Sequence, residues 1–293
     1  MAKFALFTDS CCDLPAALAE QYDITALPLG VIIGEESFAN YLDGRELTSQ
    51  ALYARIREGA MPSTNAVSVG NYEEAMRERL QAGDDILCIN FSGVLSTTYQ
   101  SAVIAATELR DEFPERIIEV IDSCDVSLGQ GLLLLLCAQE QQKGATLEQV
   151  RDFALEKRLY IDHWFTVDDL NHLKRGGRIS ATSAVVGSML AVKPILTINA
   201  EGKLEAVGKE RGRKAAINTL VKKAVTLWEN PKESLIMIGH ADCEEEAFVI
   251  ANQLKEKLGV SDDNIVVHCI GAVIGSHVGP GTMAVFFEGK ASR

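Results

Sequence analysis

Apolar residues in the first half of the chain occur in short runs that are separated by segments of helical spacing. The runs Phe4–Phe7, Asp85–Phe91 and Ile117–Asp122 have the length and composition of buried strands. Apolar strands that alternate with helices indicate a parallel sheet that is covered on both faces. We therefore predict a Rossmann-like, parallel-sheet α/β domain over residues 1–160.

Two further segments of this half have patterns of their own. Ile24–Ile33 is predicted as one strand, which Pro28 interrupts. Leu128–Lys143 is apolar on nearly every side over its first three turns. That pattern is typical of a helix at the centre of a domain, and the wall of a lipid cavity is the alternative.

Polar residues of the capping type precede several of the helical segments. Thr48 and Ser68 each stand before a predicted helix, and Thr146 begins a capping-box sequence. We also expect Asp13 to cap a helix that has Pro15 in its first turn.

The pattern changes after residue 160. Ile195–Asn199 and Leu204–Val207 are predicted to form an antiparallel hairpin, and an amphipathic helix follows over Lys214–Trp228. A hairpin among helices indicates a mixed sheet. We therefore predict a second, mixed-sheet α+β domain over residues 161–293.

Charge and composition exclude several classes of function. The chain has 293 residues and a formal net charge of −13, which disfavours binding to nucleic acid and to anionic membranes. No apolar run approaches the roughly 18–20 residues that a membrane span needs, and no signal peptide is visible. The seven cysteines have no C-x-x-C spacing, and the histidines have no metal-ligand spacing. We expect a cytoplasmic protein with reduced thiols and no metal or cofactor.

Two hydroxyl-rich segments are candidates for binding an anion. Ser92–Ser101 precedes a helix and offers five hydroxyls up to Tyr99, among them Ser92 and Ser96, and Pro62–Thr64 is a similar, shorter segment. Hydroxyls and free N–H groups at a helix N-terminus suit a carboxylate or a phosphate. The alternative is that these residues only cap the helix.

His277 is predicted to lie on a tight loop, because glycines stand on both sides of it. An imidazole there is able to donate to a carboxylate. The alternative is a small-molecule enzyme, either a phosphotransferase or a hydrolase, that uses Ser96 or His277. A hydrolase triad of Ser96, His277 and Asp9 has no support from spacing, and no nucleophile-elbow or nucleotide-binding motif is present.

Two basic clusters stand out on this acidic chain. Arg175 and Arg178 flank a Gly-Gly pair, and Arg211, Arg213 and Lys214 form the second cluster. Basic residues at a helix C-terminus complement the helix dipole. The alternative is a docking site for a phosphate or an acidic partner.

Six segments of the chain follow one another in the order of a known pattern. They are Thr8–Pro15, Pro62–Ser68, Phe91–Ala102, Leu173–Ser180, Lys193–Leu196 and His277–Gly281. In this order they resemble the DegV family of bacterial fatty-acid-binding proteins. The chain departs from the family pattern at Asn65, Ala66 and Val67, where the family has Ser-Gln-Pro, and at Phe91 and Thr97.

The resemblance implies a fold, a ligand and a partner. The fold would be a Rossmann-like domain followed by a mixed α/β domain, with an acyl chain buried between or beneath them. Thr64 and Ser96 would bind the fatty-acid carboxylate, with His277 beside them. The protein would have no catalytic activity and would present its fatty acid to a separate ATP-dependent fatty acid kinase. Near the mouth of the pocket, facing partner or phosphate, would lie Arg175, Arg178, Arg211 and Arg213.

Overall fold

The computed structural model describes residues 3–179, 192–229 and 234–293. Its strands are β1 (Phe4–Asp9), β2 (Ile24–Leu27), β3 (Gly30–Ile33), β4 (Glu36–Ala39), β5 (Ser63–Asn65), β6 (Asp85–Asn90), β7 (Ile118–Asp122), β8 (Ile161–Thr166), β9 (Val192–Ile198), β10 (Leu204–Arg211), β11 (Ile236–His240), β12 (Ile265–Cys269) and β13 (Met283–Glu288). Its helices are α1 (Ala16–Gln21), α2 (Ser49–Arg57), α3 (Val69–Gln81), α4 (Thr98–Glu112), α5 (Leu128–Gln142), α6 (Leu147–Lys157), α7 (Asn171–Arg175), α8 (Arg213–Leu227), α9 (Glu244–Leu258) and α10 (Ala272–Val278). Ser180, the last residue of the Leu173–Ser180 motif, lies outside the described residues.

Four parallel strands form the sheet of the first half, in the order β2-β1-β6-β7. Every residue of β1 and β6 is buried. The burial follows from the helix pairs α3/α4 and α5/α6, which pack against this sheet. The predicted parallel-sheet α/β architecture is confirmed.

Six strands form a mixed sheet in the second half, in the order β10-β9-β8-β13-β11-β12. β11 and β12 pair in parallel, and the other neighbours pair antiparallel. The predicted hairpin is present as β9 and β10. The predicted boundary near residue 160 falls between the two large sheets, and the division into two domains stays a prediction.

A third, three-stranded antiparallel sheet has the order β4-β3-β5. It corrects the prediction of one strand over Ile24–Ile33. Pro28 lacks the N–H that a continuous ladder needs, so β2 ends before it in the parallel sheet and β3 begins after it in the small sheet. The small sheet places β5, and with it Thr64, beside β3.

Helix α5 lies at the centre of the molecule. It packs against β6 of the parallel sheet and against β8, β11 and β13 of the mixed sheet. All residues from Leu128 to Leu135 are buried, because the helix has neighbours on every side. The prediction of a central core helix is confirmed, and residues of both sheets share one apolar core.

The capping predictions are confirmed at three helices and wrong at one. The side chains of Thr48, Ser68 and Thr146 accept backbone N–H bonds at the starts of α2, α3 and α6. Asp13 does not cap α1, whose first residue is Ala16. It follows a short 3-10 turn with φ 50°, and its carboxylate turns inward to a buried hydroxyl.

Candidate functional site

A cavity of about 350 Å³ opens among residues of both halves of the chain. Small-molecule sites in proteins commonly have volumes of about 300–1,000 Å³. Apolar side chains make up most of its lining; among them are Leu29, Phe91, Leu95, Phe165, Ile274 and Phe286. Polar side chains line it as well, including all three predicted fatty-acid-binding residues, Thr64, Ser96 and His277.

Thr64 and His277 form one hydrogen-bonded pair in the cavity wall. Thr64 Oγ1 lies 2.8 Å from His277 Nε2, although the two residues are 213 positions apart in the chain. Thr64 lies on strand β5, and His277 lies in the last turn of helix α10. The prediction of a loop at His277 is therefore wrong, and Thr64 lies beside it because the small sheet and α10 pack together here.

Ser96 lies just before helix α4 and has two roles. Its Oγ accepts a hydrogen bond from the backbone N–H of Thr98 at 3.2 Å and lies 2.9 Å from Thr98 Oγ1. Thr97 is the N-cap residue of α4 and makes no capping bond through its side chain, so Ser96 satisfies the first N–H of the helix from one position earlier. The same residue also lines the cavity, so capping and a binding role are compatible.

Ser92 is not available to a ligand in the way that the hydroxyl-rich pattern suggested. Its hydroxyl is buried and donates to the carbonyl oxygen of Gly202 at 2.9 Å. Gly202 lies in the turn between β9 and β10, so this bond fastens the hairpin of the second half to the first half. Leu204, at the start of β10, lines the cavity.

Arg178 is the one cationic side chain among the described residues that line the cavity. Its guanidinium donates from Nε to the carbonyl oxygen of Leu95 at 3.1 Å and from Nη1 to the carbonyl oxygen of Gly176. Burial, together with the charge of Arg178, lowers the pKa of His277 from 6.5 to about 4. At neutral pH the site therefore combines a neutral imidazole with a fixed guanidinium.

The other three arginines that were predicted near the mouth of the pocket do not line the cavity. Arg213 is held by Glu246 at 2.7 Å and by Asp168 at 3.2 Å. Arg175 and Arg211 are exposed, and an Nη of Arg175 lies 2.9 Å from His172 Nδ1. Contacts of these three residues with a partner stay a prediction.

Four of the five departures from the family pattern line the cavity. They are Asn65, Ala66, Phe91 and Thr97. The fifth, Val67, is buried beside them in the chain. The chain therefore differs from the pattern in the residues that surround the site.

The hydrolase triad does not assemble in the described part of the chain. His277 bonds to Thr64, and Ser96 bonds to Thr98. The carboxylate of Asp9 accepts from the side chain of Asn90 and from backbone N–H groups instead.

Across residues 3–179, 192–229 and 234–293, no three His, Cys, Asp or Glu side chains are grouped to hold a metal ion. Over the same residues no helix has the length and apolar content that a bilayer span requires.

His163 is a polar cavity residue that the sequence analysis did not select. It lines the cavity from β8 and is only 3% exposed. One signal in the sequence points to it: strand side chains alternate between faces, and His163 shares its face with Ile161 and Phe165. That alternation predicts a buried imidazole but not the cavity beside it.

Comparison with known proteins places this fold among relatives. The model of the DegV family matches residues 3–290. The chain is 42% identical, over 293 residues and the whole of both chains, to DegV domain-containing protein CPE0026 of Clostridium perfringens. Its fold is similar to that of a fatty-acid-binding DegV family protein from Thermus thermophilus. The TM-score is 0.86 and the sequence identity 32%, and the comparison covers 97% of this chain and 98% of the other. It is also similar to DegV, a fatty acid binding protein from Bacillus subtilis, with a TM-score of 0.83, 29% identity, and 98% and 99% covered.

Proposed function

Since the chain belongs to the DegV family, we propose that it binds one long-chain fatty acid, such as palmitate. The acyl chain is buried in the cavity, and the carboxylate is held by Thr64 and Ser96, with His277 beside them and acting through Thr64. The observation that carries the proposal is a mainly apolar cavity whose wall contains the hydroxyls of Thr64 and Ser96, the neutral imidazole of His277 and the guanidinium of Arg178. Fatty acid binding by the Thermus thermophilus and Bacillus subtilis relatives supports it.

The hydrogen bonds within the site leave donors for a carboxylate. If neutral His277 donates from Nε2 to Thr64, the hydroxyl proton of Thr64 is free to point at the ligand. Ser96 accepts from the N–H of Thr98, and if the Thr98 hydroxyl is the donor in the contact between the two hydroxyls, the proton of Ser96 is also free for the ligand. Arg178 supplies the opposite charge. These groups replace the water that a carboxylate loses on burial, which is otherwise costly.

The acyl chain supplies most of the affinity in this proposal. Each buried methylene contributes about 0.8 kcal/mol. A palmitate tail therefore contributes on the order of 10 kcal/mol before the entropic costs of binding are subtracted. A contribution of that size can hold a lipid through purification even after those costs.

Extraction of the purified protein tests the proposal. Organic extraction followed by mass spectrometry should release a long-chain fatty acid, and protein from which lipid has been removed should take up labelled palmitate. The double variant Thr64→Val, Ser96→Ala should take up much less. A protein that carries no lipid and also fails to take up palmitate would contradict the function.

We further propose that the chain is a carrier in the cytoplasm, without catalysis of its own, that presents its fatty acid to a separate ATP-dependent fatty acid kinase. The cysteines of the described residues are free, as in a reducing compartment. Exposed Arg175 and Arg211 are the basic residues able to meet an acidic partner. Arg213 is less suitable, because two carboxylates already hold it.

Charge reversal tests the partner surface. Arg175→Glu and Arg211→Glu should bind palmitate like the parent but slow its phosphorylation by an added fatty acid kinase. Unchanged phosphorylation would remove this role from both arginines. The parent alone should turn over neither ester substrates nor ATP, and turnover that Ser96→Ala abolishes would favour the enzyme alternative.

A further inference from the structure

His163 places an imidazole in the apolar part of the cavity wall. Its ring centroid lies 5.0 Å from that of Phe165 and 4.3 Å from that of Phe286, and both phenylalanines line the cavity. A polar side chain among aromatic rings is costly to bury unless a partner satisfies its nitrogens.

One nitrogen of His163 faces a buried ion pair. Nδ1 lies 3.5 Å from Asp125 Oδ1, and Asp125 Oδ2 lies 3.4 Å from Arg293 Nη2. Burial lowers the pKa of His163, so the ring is neutral at physiological pH and carries a single proton. The contact is too long for a hydrogen bond, but the nearby carboxylate favours the tautomer with the proton on Nδ1, which leaves Nε2 as an acceptor with a free lone pair.

The acceptor is open to the cavity. Within the described residues Nε2 has no hydrogen-bond partner, but it is not fully buried either. Two other hydroxyls of the cavity lining are already committed. Ser127 donates to Asp13 at 2.6 Å, and Thr282 donates to the carbonyl oxygen of Val278 at 3.1 Å.

We propose that His163 determines acyl-chain specificity by accepting a hydrogen bond from a hydroxyl group on the chain, so that the cavity favours a hydroxylated long-chain fatty acid over the unsubstituted acid. The inference rests on the proposed function and deepens it. An unsubstituted methylene beside Nε2 leaves the acceptor without a partner, whereas a hydroxyl at that point satisfies both groups. Since the hydroxyl must reach one fixed atom, the preference should depend on its position along the chain.

Competition binding with stearic acid and a set of monohydroxystearic acid isomers tests the inference. In the parent protein, one isomer or two adjacent isomers should bind about tenfold more tightly than stearic acid, the value expected for one added buried hydrogen bond. His163→Phe should lose that preference while still binding stearic acid. His163→Gln, which retains an acceptor, should keep part of it.

His240→Phe is the matched control. His240 is also buried in a strand of the mixed sheet, but it does not line the cavity, so its replacement should leave the preference unchanged. Thermal unfolding checks that each variant is folded.

The outcomes separate the two proposals. If stearic acid binds but no isomer binds more tightly than it does, the inference about His163 is overturned and the fatty-acid function stands. A preference that persists in His163→Phe overturns the inference as well. If neither stearic acid nor any isomer binds, both proposals fail together.

Discussion

Thr64 has a single hydroxyl proton, so its bond to His277 is useful to a carboxylate only when the imidazole is the donor. The pKa of His277, lowered to about 4, keeps the ring neutral, and a neutral ring has one N–H to give. With that proton on Nε2, Thr64 accepts from His277 and donates to the ligand. His277 then acts on the carboxylate through Thr64.

Replacing Thr64 by valine removes this donor while keeping the shape of the side chain. We expect Thr64→Val to lower the affinity for palmitate by about 10- to 100-fold, the range for a hydrogen bond to a charged group. Displacement of a fluorescent fatty acid measures the loss. Ser63→Ala, an exposed neighbour on β5, should bind palmitate normally, and equal affinities of the two variants would contradict the role of Thr64.

Acid should destabilise the protein through His277. The unfolded chain takes up a proton there as the pH falls below 6.5, whereas the folded protein does so only near pH 4. The unfolded state therefore binds more protons in this window, and the free energy of unfolding falls with the pH, by about 3 kcal/mol in total. The buried carboxyl of Asp13, whose pKa is raised to about 7 by burial, acts with the opposite sign.

Comparison with His277→Gln isolates the histidine, since Asp13 is present in both proteins. Chemical denaturation from pH 6.5 down to pH 4 should show a smaller loss of stability in the variant than in the parent. Parallel pH profiles would show that His277 has no shifted pKa.

At the scale of elements, two adjacent glycines lie between α7 and Arg178 of the site, and the structure favours glycine at each position for a different reason. Gly177 has φ 70°, a conformation that favours glycine just after a helix. Gly176 has an ordinary helical conformation, but a Cβ on it would lie 2.3 Å from His277 Nδ1. Helix α7 ends just before this pair, and Gly176 also makes room for the ring of His277 in α10.

Substitution by alanine should separate these two reasons. Gly176→Ala should displace the His277 ring from Thr64 and lower palmitate affinity about tenfold, the effect of losing one hydrogen bond. Gly177→Ala should cost about 1 kcal/mol of stability with little change in affinity, because among the described residues no atom other than those of its chain neighbours lies within 4 Å of the added Cβ. Binding and unfolding measurements on both variants check the split, and unchanged affinity in Gly176→Ala would contradict it.

At the scale of the whole molecule, the cavity belongs to both halves at once. Thr64 and Ser96 come from the first half, and Arg178 and His277 come from the second. The bond from Ser92 to Gly202 and the shared core around α5 hold the halves together. A ligand in the cavity would therefore contact strands of the mixed sheet, the small sheet, and the segments that follow β1, β6 and β7.

Binding should stabilise the folded state as a whole. Palmitate at a hundredfold excess over its Kd should add about 2.7 kcal/mol to the free energy of unfolding, because the unfolded chain has no site. Thermal unfolding of lipid-free protein with increasing palmitate measures the shift. Thr64→Val should need more palmitate for the same shift, and a melting temperature independent of palmitate would argue against binding to the folded state.

The sequence by itself determined the regular elements and the choice of site residues. Apolar runs and capping residues predicted β1, β6, α5 and the hairpin, because periodicity and capping depend on neighbours along the chain. Short motifs selected Thr64, Ser96 and His277, and all three line one cavity.

Only the tertiary structure decided how these residues meet. The pairing of Thr64 with His277 depends on β5 joining β3 and on α10 packing beside them. The inward turn of Asp13 and the place of His163 in the cavity wall likewise depend on contacts with elements far away in the chain. A local pattern reports which face of an element is buried, but the packing of the sheets and helices determines what that face contacts.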